Sequence, residues 1–304
     1  MAESATERRE RIRAEPMAPI GTHGGLFAGT LSSYRQVVSE RYLLGLLVKR
    51  ELKARYKDSS LGFLWSLIRP LTQLLIYYFA LGEILGLARQ IPSFAVFVFI
   101  GLTAWSFFTE IVSGGTTSIV GNSGLVKKVY LPREIFPLST IGGALFNYAI
   151  QLSILLVATL VIGQFPARAE LALFPLAFAV ILINAAALAL LLSAVNVYLR
   201  DTQHLVEVIL TVLFWASPIV YSFTFVREAL DGSLLEQLYL ANPVTVAILG
   251  MQQALWVAGS ESGTAVWPDD LVPRMWIALG IGVVMLWASQ RVFSRLQGNF
   301  AQEL

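Results

Sequence analysis

From Ser93 to Val120 the chain carries a single ionisable side chain, Glu110, among residues that are otherwise apolar, small or hydroxylic. A helix of that length rises far enough to cross the roughly 30 Å hydrocarbon core of a bilayer, which makes this run the tightest constraint on the fold. Five further stretches read the same way: Leu61–Leu85, Ile135–Ile162, Leu171–Leu199, Leu205–Val220 and Met275–Phe293. Composition agrees, with 56% hydrophobic and only 14% charged residues, against about 25% charged in soluble domains. The sequence therefore predicts an all-α membrane protein with six transmembrane helices.

Charge sets the orientation. With the N-terminus inside, all but four of the 22 Lys and Arg residues fall on the cytoplasmic side; the exceptions are Arg89, Arg168, Arg227 and Arg274. That asymmetry predicts both ends in the cytoplasm of a multi-pass plasma-membrane protein. The basic residues flank apolar spans and form no single patch, so nucleic acid is not expected as a partner. Met1 to Pro19 lacks the apolar core of a signal peptide, so insertion is expected to rely on the internal spans.

Residues 1–33 are rich in Arg, Glu, Ala and Gly and read as a disordered polar tail. Residues 34–60 form an interface region. Within it Leu44, Leu47, Val48, Leu52 and Tyr56 recur at three- and four-residue steps, while Arg50, Lys53 and Lys57 fall on another side. This is an amphipathic helix suited to lying along a membrane surface. Asp58-Ser59-Ser60 then offers N-cap chemistry for the first span. Residues 61–298 make up the transmembrane domain and 299–304 a cytoplasmic tail. In the loop after the fifth span, Val244–Val257 is apolar but too short to cross, which reads as a re-entrant half-span on the outer side. The fifth span is itself short and ends at Ser217-Pro218, where proline breaks the helix.

Polar residues inside the spans carry the candidate chemistry. Thr103, Ser106, Glu110, Ser113 and Thr117 lie at three- and four-residue steps on one stripe. Such a stripe is either the wall of a hydrated path or a helix seam held by interhelical hydrogen bonds. A carboxylate fits the wall better, since at the bilayer centre it costs about 2.5–3.5 kcal/mol. Trp105, Phe108 and Trp215 sit within or beside this stripe, and Tyr221 follows the broken span. Aromatics there can stack on sugar rings or belong to the ordinary interfacial belt. Arg69 lies about 12 Å into the first span; it either snorkels to lipid phosphates or meets an anionic head group at the entrance, with Arg55 before it. Asn122 starts a short stretch in which Lys127, Lys128 and Tyr130 combine cations with an apolar face. That stretch is either a positive-inside loop or a docking helix. Asp269-Asp270 lacks a third ligand or a nearby base, so a solvated loop is expected there. There is no cysteine, and His23 and His204 are too isolated for a metal centre, so neither a metal nor a catalytic residue is expected.

Four runs together, LLVKRELKARYKDSSLGFLWSLIRPL, GNSGLVKKVYLPREIFPLS, NVYLRDTQHLVEVILTVLFWASPIVY and GNFAQEL, resemble the ABC-2 type permeases that export bacterial polysaccharides such as O-antigen, galactan, capsule and teichoic acid. The resemblance covers about Tyr34 to Leu304. It implies a homodimer bound to two copies of a nucleotide-binding ATPase subunit, with Tyr42–Lys57 as interface helix and Asn122–Leu131 containing a coupling helix. It favours the docking reading of Lys127 and Lys128. It also implies a lipid-linked polysaccharide substrate moved out through the inner membrane. This chain has no lysine preceded by the G-x-x-x-x-G of a phosphate cradle, so ATP and Mg are expected on the partner. Two alternatives stand beside this reading: an ABC-2 permease for a small drug or lipid, and an integral-membrane enzyme of lipid-linked sugars.

Overall fold

A computed structural model describes residues 39–56, 64–128, 131–230 and 232–304. The tail, the capping run Asp58-Ser59-Ser60, Lys57 and Tyr130 lie outside them. In chain order the α-helices are α1 (Arg41–Tyr56), α2 (Leu64–Tyr77), α3 (Phe94–Gly121), α4 (Ser123–Lys128), α5 (Ile135–Val161), α6 (Leu173–Tyr198), α7 (Thr202–Trp215), α8 (Phe223–Leu230), α9 (Leu234–Ala241), α10 (Pro243–Leu255), α11 (Val257–Glu261), α12 (Leu271–Leu296) and α13 (Phe300–Glu303). The described residues contain no strand.

The expectation of six long crossings is met only in part. Among the described residues four helical segments are long and apolar enough to cross a membrane, and a fifth follows if α9 and α10 are one bent span. The four correspond to the expected second, third, fourth and sixth spans. The first and fifth differ. In α2 and α7, 14 residues each, a helix reaches only about 21 Å. Beyond Tyr77 the first continues as wider π-helical turns, Tyr78–Ile84. There Gly82 leaves room for the Phe94 ring, 2.9 Å from where a Cβ would stand. The fifth stops at Trp215, ahead of Pro218.

Helix α3 is the axis of the molecule, packed against α5, α6 and α10. Its close approach to α6 depends on Gly115, where a Cβ would meet that of Ala189 at 2.4 Å. Two of the hydroxyls that α3 buries bond back to their own helix, Thr116 to the Val112 carbonyl at 2.7 Å and Ser118 to that of Gly115 at 2.7 Å, which satisfies both donors in an apolar surround. The buried Thr103 Oγ1 has no hydrogen-bond partner.

The unwound stretch after α7 is held by α10. Thr245 donates to the Ala216 carbonyl at 3.1 Å and the Gln252 amide to that of Pro218 at 2.7 Å, while Gly101 lets Ile219 lie directly on α3. Irregular backbone at membrane depth survives only when protein satisfies it in this way. The 80° bend between α9 and α10 falls at Asn242-Pro243. The residue before proline is driven to an extended conformation, and the Asn242 side chain caps α10 by accepting from the Val244 amide at 3.0 Å.

The helix α1 forms as expected, and part of its apolar stripe packs on protein. Leu47 is buried, Leu43 and Leu44 are partly buried, and Val48 fits against Gly142 of α5, which offers a glycine-sized recess at the matching height, 2.5 Å from where a Cβ would stand.

Candidate functional site

A cavity of about 950 Å³, open on one side, lies between α2, α3, α5 and α7. Four side chains on α2, spaced four residues apart, face it: Trp65, Arg69, Gln73 and Tyr77. That spacing puts them on one stripe of the helix. Helix α3 supplies Leu102, Trp105, Ser106, Thr109, Glu110 and Ser113, α5 supplies Asn147 and Gln151, and α7 supplies Thr211, Phe214 and Trp215.

The walls mix rings and polar groups. Tyr77 stacks on Phe214 with centroids 5.9 Å apart, and Trp105 and Trp215 meet Phe214 edge-on at 5.7 and 5.4 Å. About one and a half turns along α3 from Trp105, the Asn147 amide donates to the Glu110 carboxylate at 2.7 Å. Gln151, one turn further along α5, is 7% exposed, and its Oε1 has no hydrogen-bond partner. The cavity thus offers ring faces, a carboxylate, amides and hydroxyls, with the Arg69 guanidinium two turns along α2 from Tyr77. It suits a ligand rich in both C–H faces and hydroxyl groups.

At the other end of α3, the exposed Arg50 of α1 donates to the Asn122 side chain, whose amide in turn bonds the Ser118 carbonyl at 2.8 Å. Glu51 of α1 accepts from Ser139 at 3.2 Å. The helix α1 is thereby tied to both the α3–α4 corner and α5. Lys53, Lys127 and Lys128 are exposed on this face.

The model of the ABC-2 type transporter family matches residues 42–256, which spans α1 to the turn after α10. The chain belongs to the ABC-2 type transporter family. Among curated relatives of this ABC-2 protein, the O-antigen export system permease protein RfbA of Myxococcus xanthus is 33% identical over 270 residues, 89% of this chain and 98% of that one. A protein of the same name from Klebsiella pneumoniae is 26% identical over 86% of this chain and 96% of its own. The polysialic acid transport protein KpsM of Escherichia coli is 25% identical over 58% of this chain and 68% of its own. With its apolar helices, this ABC-2 protein is a multi-pass membrane transport protein.

Not all residues singled out in the sequence meet in the cavity. Trp105, Ser106, Glu110, Ser113, Trp215 and Arg69 line it. Thr103 and Phe108 are instead buried in the core, 3% and 2% exposed. Thr117 is exposed beyond the cavity and bonds the Ser113 carbonyl at 3.2 Å. Tyr221 stands behind the wall and fixes it, donating to the Trp215 carbonyl at 2.7 Å. The stripe departs from one face because a buried helix has neighbours all round, and a three- and four-residue pattern cannot say which arc is open. Arg55 lies on α1. Sequence reasoning missed Gln73, Phe214 and the Asn147–Gln151 pair as wall residues. The four-residue spacing from Trp65 to Tyr77 was the available signal for α2.

Ahead of α12, Asp269 and Asp270 are paired with arginines. Asp270 meets Arg274 at 2.7 Å, and Arg227 stands 3.9 Å from Asp269 and 3.8 Å from the buried Glu236. The Arg274 guanidinium holds the Asp270 carboxyl below its ordinary value. Two arginines so tie α8, α9 and the start of α12 together.

Proposed function

We propose that this chain is the permease subunit of an ATP-driven exporter that moves a lipid-linked polysaccharide of the O-antigen type from the cytoplasm across the inner membrane. The observation that carries the reading is the cavity lined by both rings and polar groups. Aromatic rings beside a carboxylate, amides and hydroxyls suit a chain of sugar rings, whereas a pocket for a small apolar drug is enclosed and carries only a few polar groups. The names of the relatives support the same substrate class.

Two copies of the chain bring their open sides together, so that each supplies half of the path. Exposed apolar residues on α2 and α7, among them Leu75, Ile76, Val208 and Val212, then face the second copy or lipid. Two ATPase subunits, holding ATP and Mg, dock on the cytoplasmic face presented by Arg50, Lys53, Lys127 and Lys128. Asn122 and Arg50 hold that face together. Both termini lie in the cytoplasm, and Arg69, with Arg55, meets the anionic head group at the entrance.

Co-purification with the native ATPase, reconstitution and mass spectrometry of the retained ligand test this reading. A glycolipid that leaves on ATP addition is the expected result. A small amphiphile in its place, or export by the chain with no second subunit, overturns it. An ABC-2 permease for a small lipid remains the second reading, favoured only if the paired cavities prove too narrow for a sugar chain.

A further inference from the structure

The motif GNFAQEL has no part in the transport path, yet it is built into the cytoplasmic end of the molecule. After α12 the chain makes one 3-10 turn, Gln297–Asn299, and enters the short helix α13. Phe300 is 0% exposed. Its ring meets Phe293 edge-on at 5.5 Å and Tyr198 at 6.2 Å, and the Arg133 guanidinium lies over its face, 5.7 Å from the centroid. The Tyr198 hydroxyl donates to the Leu296 carbonyl at 2.8 Å and fixes the turn from its other side.

The same apolar cluster receives Val126 of α4, together with Leu47 of α1, Ile119 of α3, Ile135 and Phe136 of α5, and Val197 of α6, and α13 lies in contact with α4. In α4, six residues long, Val126 is the buried side chain. A helix of six residues has no stability of its own in water. Its direction, and hence where Lys127 and Lys128 point, comes from the socket that Val126 occupies. Phe300, on the helix that touches α4, belongs to the cluster that forms it.

We propose that Phe300 is a positioning residue for energy coupling: it sets the angle at which α4 presents Lys127 and Lys128 to the ATPase, and it joins that helix to α6 and α12. The proposal rests on the reading of α4 as an ATPase-docking helix. Force applied to α4 then passes into the ends of two long helices through ring contacts, with no covalent connection beyond the main chain.

The test uses the full chain with its native ATPase in proteoliposomes, with ATP hydrolysis and glycan export measured in the same vesicles. Phe300→Ala should leave the subunits co-purifying and lower export per ATP by about 2- to 30-fold, the span of coupling changes carried by packed side chains. Phe300→Tyr or Phe300→Leu should recover part of that ratio. Val126→Ala attacks the socket from the other side and should lower the same ratio, with the double variant no worse than the poorer single one, because both changes empty one contact. An unchanged ratio in folded Phe300→Ala overturns the proposal. So does loss of hydrolysis, export and co-purification in parallel, or full additivity of the two variants. Lys127→Ala/Lys128→Ala is the reference: if it leaves hydrolysis and export fully coupled, the docking reading has failed, whatever Phe300 does.

Discussion

At the scale of single residues, the Glu110–Asn147 bond is the clearest case of a sequence problem solved by a neighbour. A carboxylate in a membrane-spanning helix needs a partner, and α5 supplies an amide donor at 2.7 Å. Asn147→Ala should lower the unfolding free energy by about 1.5–3 kcal/mol, the usual contribution of a hydrogen bond to a charged group. A double-mutant cycle with Glu110→Ala in detergent isolates the pair, and a coupling energy near zero would contradict it. Gln151→Leu should slow export while leaving ATPase co-purification intact, because Gln151 lines the cavity and its buried Oε1 bonds no protein group. Glu134 gives a pH signature. Burial pushes its carboxyl above the ordinary value, its own backbone amide, Gln297 and Arg133 pulling it partly back. A raised native pKa means that its contribution to stability is complete below the unfolded value of about 4.3 and is lost as pH rises through the native value. Glu134→Gln should therefore gain on the wild type as pH climbs from 4 to 8 in thermal melts. Melting curves that stay parallel would exclude it.

At the scale of elements, short helices owe their existence to what they lean on. The helix α1 is keyed to α5 by Val48 at Gly142 and by Glu51 at Ser139. Gly142→Val places a branched side chain where Val48 sits, and overpacking of this kind typically costs about 1–3 kcal/mol. The expected result is a faster protease cut beside α1 and weaker ATPase co-purification, with the spans still folded. The break after α7 depends equally on α10. Gln252→Leu leaves the Pro218 carbonyl buried without its donor, a loss of about 1–3 kcal/mol, readable as a lower melting temperature. An unchanged melt would mean that the break stabilises itself.

At the scale of the whole molecule, the proposed pairing of two copies across the cavity can be tested by cross-linking. The chain contains no cysteine, so single introduced cysteines report contacts without background. A two-fold pair brings identical residues together only near its axis, and a disulfide needs Cα atoms about 4.4–6.8 Å apart. Scanning Leu75, Ile76, Val208 and Val212 should give at least one cross-linked dimer. Cross-linking confined to Ile277, Ile281 and Val284 on the exposed face of α12 would place the second copy elsewhere.

Sequence alone determined the all-α class, the four long spans and the end of α7 ahead of Pro218, because helix period, span length and proline chemistry are local properties. It also singled out Glu110, Arg69, Trp105 and Trp215, since a charge or a large ring inside an apolar helix is conspicuous wherever the helix packs. Tertiary structure decided which arc of each helix stayed open. Thr103 and Phe108 share a helix with Glu110, yet neighbouring helices close over them, and Asn147 and Gln151 reach the cavity from α5 with no signal in α3. It also decided that Val48 of α1 leans on α5 and that Phe300 of GNFAQEL joins the cluster of Val126. Both depend on recesses formed by residues far apart in the chain, and no pattern within one segment records the shape of another.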